Sequence, residues 1–431
     1  MNFTSMNFTL KNFAPKDFVS SLRAMSLDRS RLADLLAAAV VVSLPWSTSA
    51  TSILVALWAA AAVAATCDGK ALRELAAEPA AVLPVALVGL ALAGTLWSEA
   101  TAREAIAGLA PFLKLLAIPL LFLQFRRGGR SEAVLRAYLA SAGVLLAVSW
   151  LIFLLPLWKT DYPGVPVKDY IFQSIEFTLC AFVLLDRAIA SLRTDRTAAL
   201  MLAGSALLFL ADIVFVALGR TSIVIITVLF GLLGVRHFRR RALVAFAAAG
   251  VAIAASAWTA SPYLRERVTH VIAELDPAHA NLNETSAGIR VSFWKMSMKV
   301  IAEAPLLGHG TGSIAATFAR AAAADPAAPG GATNPHNQYF AVAIQLGLLG
   351  ALVLVAMWAA HLRMFLLPGA AAFVGLSLVL ENTVGSLFNS HLSDFSHGWL
   401  YVLGIGIAGG AALRQRDLSR GEAGPPPARP D

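Results

Sequence analysis

The chain is a succession of apolar runs cut by short polar turns. Runs of about 20 apolar residues, enough for a helix to cross a bilayer, can be drawn at roughly 31–48, 50–66, 81–97, 105–125, 133–157, 170–190, 198–218, 221–235, 242–260, 337–360, 369–388 and 396–413. They are continuous rather than alternating, which favours helices over a transmembrane barrel. The pattern predicts an all-α polytopic membrane protein of about twelve transmembrane helices with one large, partly helical loop. Five stretches follow: a leader over 1–30, nine helices over 31–260, the loop over 261–336, three helices over 337–413, and a disordered tail over 414–431.

Basic residues orient the spans, because short cytoplasmic loops collect Lys and Arg. Arg23, Arg29, Arg31, Lys70, Arg73, Arg126, Arg127, Arg130, Arg187, Arg193, Arg196, the Arg236–Arg241 cluster, Arg414, Arg416 and Arg420 fall on one side. The short loops of the other side hold Arg103, Lys159, Lys168 and Arg220. Both termini are therefore expected in the cytoplasm and the 261–336 loop outside. The first apolar run lacks a small-residue cleavage site and reads as a signal anchor. The leader repeats Met1-Asn2-Phe3-Thr4 as Met6-Asn7-Phe8-Thr9, so that Met25 is a second candidate start.

Composition agrees with the pattern: 58% of residues are hydrophobic and 14% charged, too apolar for a soluble domain. The net charge of +8 belongs to loops facing anionic lipid and does not imply a nucleic-acid partner. The two cysteines, Cys67 and Cys180, lie far apart and suggest neither a disulfide nor a metal site.

The chemistry concentrates in and around the large loop. Asn334 suits a helix N-cap and Pro335 the first helical position, which would put His336 and Asn337 in the first turn. The positive end of the helix dipole would keep the imidazole neutral and able to accept a proton; a histidine meeting lipid headgroups fits the same position. Arg220 sits in the tight turn Leu218-Gly219-Arg220-Thr221-Ser222, against the orientation pattern, and its guanidinium fork suits phosphate, whether of a substrate or of lipid. Ser286 to Ala304 reads as an amphipathic helix with Ile289, Phe293, Met296 and Val300 on one face, predicted to lie on the outer membrane surface. Arg290 and Trp294 stand four apart on it, and Lys295 and Lys299 form a second basic pair. The run Gly308-His309-Gly310-Thr311-Gly312 follows no strand and reads as a compact turn allowing close backbone approach, not as a dinucleotide site. Ala321 to Gly331 reads as a flexible connection. Lys114, Glu176, Asp212, Glu381 and Asn382 are costly inside a membrane. The polar stretch from Asn389 to His397 reads as an outside loop.

Together, Gly219-Arg220-Thr221-Ser222, Arg290-x-x-x-Trp294, Pro305-Leu-Leu-Gly308-x-Gly310-x-Gly312, and His336-Asn337 followed by nine residues and Gly347-x-x-Gly350 resemble the O-antigen ligase and polymerase superfamily over about residues 205–360. The resemblance implies a bacterial inner-membrane glycosyltransferase moving a glycan from undecaprenyl diphosphate to a sugar hydroxyl of the lipid A core, on the periplasmic face. His336 would then be the base, Arg290 and Arg220 would hold the diphosphate, and Asn334, Asn337, Gln338, Tyr339, Trp294, Lys295 and Lys299 are candidate substrate-binding residues. No cofactor is implied, and the absence of Asp-x-Asp disfavours a metal-assisted nucleotide-sugar route. An O-antigen polymerase, a protein O-oligosaccharyltransferase and, in another class, a transporter or flippase remain open; the Gly347-x-x-Gly350 spacing favours the ligase, and the lack of repeat halves weighs against a transporter.

Overall fold

The computed structural model describes residues 15–66, 69–155, 162–274, 286–324, 333–366 and 369–421. The first helices are α1 (Pro15–Ser43), α2 (Thr48–Thr66), α3 (Gly69–Ala76), α4 (Pro79–Ala93), α5 (Ala102–Leu113), α6 (Ala117–Arg127) and α7 (Ser131–Leu154). Then come α8 (Tyr170–Ser191), α9 (Arg196–Phe215), α10 (Arg220–His237), α11 (Arg240–Ala260) and α12 (Pro262–Glu274). The loop region supplies α13 (Ser286–Glu303) and α14 (Ile314–Ala324), and the chain closes with α15 (Gln338–Met364), α16 (Ala370–Gly385) and α17 (Phe395–Ser419). Described residues contain no strand.

Each of the twelve apolar segments falls on a helix, but among the described residues eight helical stretches, α5 and α6 counting as one, are long and apolar enough to cross a membrane. At about 1.5 Å per residue, α4 and α16 fall short of a hydrocarbon core of about 30 Å. Helix α8 carries Glu176, Asp186 and Arg187, and is buried along most of its length. Surrounded by protein, it needs no lipid-compatible surface; α11, by contrast, buries none of its residues.

Two of the intramembrane carboxylates have polar protein partners. Asp212 accepts from Ser149 at 2.6 Å, and Glu381 lies 3.0 Å from His391. Lys114 occupies a 3-10 turn between α5 and α6 and donates to the Asp394 carbonyl at 2.6 Å. Cys180 is buried within α8.

Helix α1 begins inside the expected leader, at Pro15, and α14 takes up Ala321 to Ala324 of the expected connection. Residues 1–14, Cys67, 325–332 and the Pro-rich tail over 422–431 lie outside the described residues. On the rim, Glu99 meets His309 at 2.6 Å and pairs with Arg320, which also reaches Glu303 at 2.8 Å, stapling α13 and α14 to the turn before α5.

Candidate active site

Helix α15 starts later than the sequence suggests. Its N-cap is Asn337, whose Oδ1 accepts from the backbone N–H of Tyr339 and Phe340 at 2.9 and 3.2 Å while its amide nitrogen donates to the Leu387 carbonyl at 3.1 Å. Asn334 is therefore not the cap, and Pro335 and His336 precede the helix. His336 takes the left-handed region, with φ of 50°, which histidine tolerates better than most side chains. Asn334 holds this turn: its Oδ1 accepts from the His336 N–H at 2.9 Å and from Ser390 Oγ at 2.7 Å.

The reversal turns the imidazole toward the connection between α16 and α17. His336 Nδ1 lies 3.1 Å from Asn389 Oδ1, an atom that also accepts the Ser390 N–H at 2.9 Å. That second bond identifies it as the amide oxygen, so Nδ1 donates and Nε2 keeps its lone pair. Phe293 lies nearly parallel to the ring, 13° apart with centroids at 6.0 Å. Burial pushes the His336 pKa below its usual value, the Arg290 charge lowers it further, and the Asn389 hydrogen bond opposes them. The imidazole is thus shifted toward the neutral form, as the sequence suggests, but for a different reason: desolvation and a neighbouring cation.

Helix α13 forms where its periodicity predicts, but its apolar stripe packs on protein rather than on a membrane surface. Phe293, Met296 and Val300 are buried in a cluster with Phe318 and Ile344, and Ile289 packs against it. Arg290 and Trp294 flank Phe293 and are half-buried. Trp294 meets Phe340 edge-on at 6.4 Å, and its indole N–H has no partner among the described residues. Lys295 and Lys299 are exposed, turned roughly 160° and 120° round the helix from Phe293.

The first residues of α15 are committed to the fold. Gln338 donates to Ser393 Oγ at 3.0 Å and accepts the Ser393 N–H at 2.9 Å, while the Tyr339 hydroxyl donates to the Thr383 carbonyl at 3.1 Å. With Asn337 as the cap, these three candidate substrate contacts anchor the helix start to the end of α16 and the turn after it, which carries Asn389.

The glycines of the signature have a mechanical reason. Gly347 breaks α15 with φ of 63°, and a Cβ there would stand 2.2 Å from the Leu306 carbonyl oxygen. The break frees backbone groups that the 305–312 loop satisfies: His309 N–H donates to Ile344 at 2.9 Å, Gly310 N–H to Gln345 at 2.9 Å, and Leu348 N–H to Pro305 at 2.8 Å. Gly308, Gly310 and Gly312 all have positive φ, so this loop is the compact close-approach turn the sequence suggests: Gly308 closes on α15, Gly310 on the connection between α4 and α5, and Gly312 on the start of α5.

Arg220 is the first residue of α10, half-buried, after an N-cap Gly219 where a Cβ would meet Ser174 Oγ at 2.4 Å. It stands at the same end of the bundle as His336: α8 and α17 both start there, with Phe172 edge-on to His397 at 5.2 Å. Sequence reading missed Arg267 of α12. Its guanidinium lies 4.9 Å from the Tyr170 ring centroid and 5.9 Å from that of Tyr263, and donates to the Leu218 carbonyl at 3.3 Å, two residues before Arg220. Its place four residues after Tyr263 was the available signal. Asn389 was legible only as part of a polar loop. Among the described residues no group of three His, Cys, Asp or Glu is placed to hold a metal ion.

The site thus presents a neutral imidazole with an open Nε2, one arginine close enough to depress its pKa, and two more beside a turn at the same end. No curated protein matches the chain. Residues 205–355 match the model of a family described as O-Antigen ligase. That stretch contains Arg220, Arg290, His336, Gly347 and Gly350, and the match supports the O-antigen ligase superfamily of membrane glycosyl-transfer proteins for this part of the chain.

Proposed function

We propose that the protein is an O-antigen ligase, transferring a glycan from undecaprenyl diphosphate to a sugar hydroxyl of the lipid A core at the periplasmic face of a bacterial inner membrane. His336 Nε2 takes the proton of the acceptor hydroxyl as its oxygen attacks the anomeric carbon. The bond from that carbon to the diphosphate oxygen breaks, its electron pair leaves with undecaprenyl diphosphate, and the anomeric configuration inverts. Arg290 and Arg220 hold the diphosphate and stabilise the charge that grows on it. The observation that carries this reading is the His336–Asn389 contact, which fixes one tautomer, in a half-buried place beside Arg290 whose desolvation and charge favour the neutral ring. A diphosphate is already a leaving group, so guanidinium charges with one base suffice without a metal.

The test is transfer by purified protein from undecaprenyl-diphosphate-linked glycan to lipid A core in the presence of a chelator, comparing wild type with His336→Asn, a residue that tolerates the left-handed backbone. Transfer by wild type and none by the folded variant supports the assignment. Full activity in the variant removes His336 from the chemistry. Extension of the lipid-linked glycan with no transfer to core would make the protein a polymerase.

A further inference from the structure

A cleft of about 410 Å³ opens between α5, the start of α14, the face of α15 at Ala341 and Gln345, and the turn carrying Ser390 and Ser393. Its link to the candidate base is short. Asn334 and Ser390 line it, and Asn334 Oδ1 is the atom that accepts both Ser390 Oγ and the His336 N–H.

The lining selects a ligand class. Among the described residues no lysine or arginine faces the cleft, while Glu104 does, so a diphosphate would be repelled. Apolar surface from Ala107, Pro111, Phe112 and Ala315 alternates with Asn334 and Ser393, a mixture suited to the C–H faces and hydroxyl rims of a sugar ring. Hydrogen-bonding capacity is left over. The Asn334 amide nitrogen makes no hydrogen bond among the described residues, and Ser393 Oγ accepts from Gln338, leaving its own hydrogen to donate. The Gln345 amide is spent on Gly312 and Ala341 and acts as wall. The volume falls within the roughly 300–1,000 Å³ of small-ligand pockets.

We propose that this cleft is a saccharide subsite that seats an uncharged sugar against the Asn334–Ser390 wall, beside the base and apart from the cations. The inference rests on the glycosyl-transfer reading above. Both the lipid-linked glycan and the core acceptor carry sugars, and the experiment separates them.

Ala107→Trp and Ala315→Trp fill the cleft from facing walls at positions that are not buried. Dissociation constants are measured for full-length protein in nanodiscs with three probes: delipidated core oligosaccharide, undecaprenyl-diphosphate-linked glycan, and undecaprenyl diphosphate without sugar. Both variants should bind one sugar-bearing probe at least about tenfold more weakly and bare undecaprenyl diphosphate within twofold of wild type. A loss confined to the core oligosaccharide makes the cleft the acceptor subsite; one confined to the linked glycan makes it the donor subsite. If all three probes bind folded variants within twofold of wild type, if the bare lipid weakens as much as its glycosylated form, or if wild type binds neither sugar, the subsite is overturned. Should a tryptophan prevent folding, Ser393→Ala adds no bulk and should weaken the same probe about threefold. Binding is read without turnover, so a wild type that binds sugar yet transfers none would sink the ligase reading and leave the subsite standing.

Discussion

At the end of the bundle away from His336, arginines at the helix junctions close on carboxylates. Arg126 meets Asp417 at 2.6 Å and Glu74 at 3.1 Å, Arg187 grips Glu132 at 2.5 and 2.8 Å, Arg236 meets Asp186 at 2.7 Å, and Arg416 meets Glu78 at 2.8 Å. At the His336 end Arg320 is likewise paired, with Glu99 and Glu303, but Arg267 and Lys168 meet no carboxylate among the described residues. Arg267 rests on two tyrosine rings and one carbonyl; Lys168 lies 4.5 Å over Phe172 and donates to Ser396 Oγ at 3.0 Å and to the Leu44 carbonyl. A guanidinium closed on a carboxylate has its charge and most of its donors consumed by the fold. One held by ring faces keeps both for an anion.

The comparison predicts that substitutions at the two ends fail differently. The largest effect should come from His336→Asn, which is expected to lower transfer by about 10²–10⁴-fold with little change in melting temperature. Arg126→Gln at the opposite end should leave turnover per folded molecule within twofold and cost about 1 kcal/mol of stability, read from thermal melts. Gly347→Ala comes next: it adds a Cβ against backbone at positive φ and should destabilise by at least about 2 kcal/mol. Gly234→Ala, at the paired end, meets only side-chain atoms, the Phe246 ring at 2.9 Å and Leu243 Cδ2 at 3.3 Å, and should cost less. Equal losses for the two glycines would break the distinction. Smaller again, Arg267→Gln should weaken undecaprenyl diphosphate binding about tenfold, as expected for one charge-assisted hydrogen bond. Unchanged binding would make Arg267 a packing residue like those of the far end.

How much of this was legible depends on whether a signal is local. The stripe Ile289, Phe293, Met296 and Val300 fixes α13 because its period lies within the segment. What it packs on does not, since lipid and the Phe318–Ile344 cluster offer similar apolar surface. The start of α15 was misplaced because Asn334 and Asn337 are equally good caps by type, and the choice is made by the Leu387 carbonyl, fifty residues away. Span counting treated apolar length as sufficient, yet α8 tolerates three charged residues because protein surrounds it. His336, Arg220 and Arg290 could be singled out because their spacings form recognisable motifs. Asn389 and Arg267 could not, because each acts through contacts made only on folding.

The smallest effect is the most direct test of how the His336 end is tuned. In the proposed reaction His336 takes a proton only when neutral, so transfer should fall as pH drops through its pKa. Burial and Arg290 both depress that pKa, which sets the acid limb of the rate profile below the usual histidine value of 6.5. Arg290→Gln removes a repelling charge, so its limb should move to higher pH, independently of any loss in donor affinity. Asn389→Asp puts a carboxylate against Nδ1, keeps the tautomer, and should move the limb up further, by about one pH unit for each 1.36 kcal/mol of added attraction to the imidazolium. Rates of Asn389→Asp at high pH should then approach those of wild type, while at pH 6 the variant lags. A limb that stays put in both variants would mean that His336 does not titrate in the step being measured, and that its hydrogen bond to Asn389 only holds the turn.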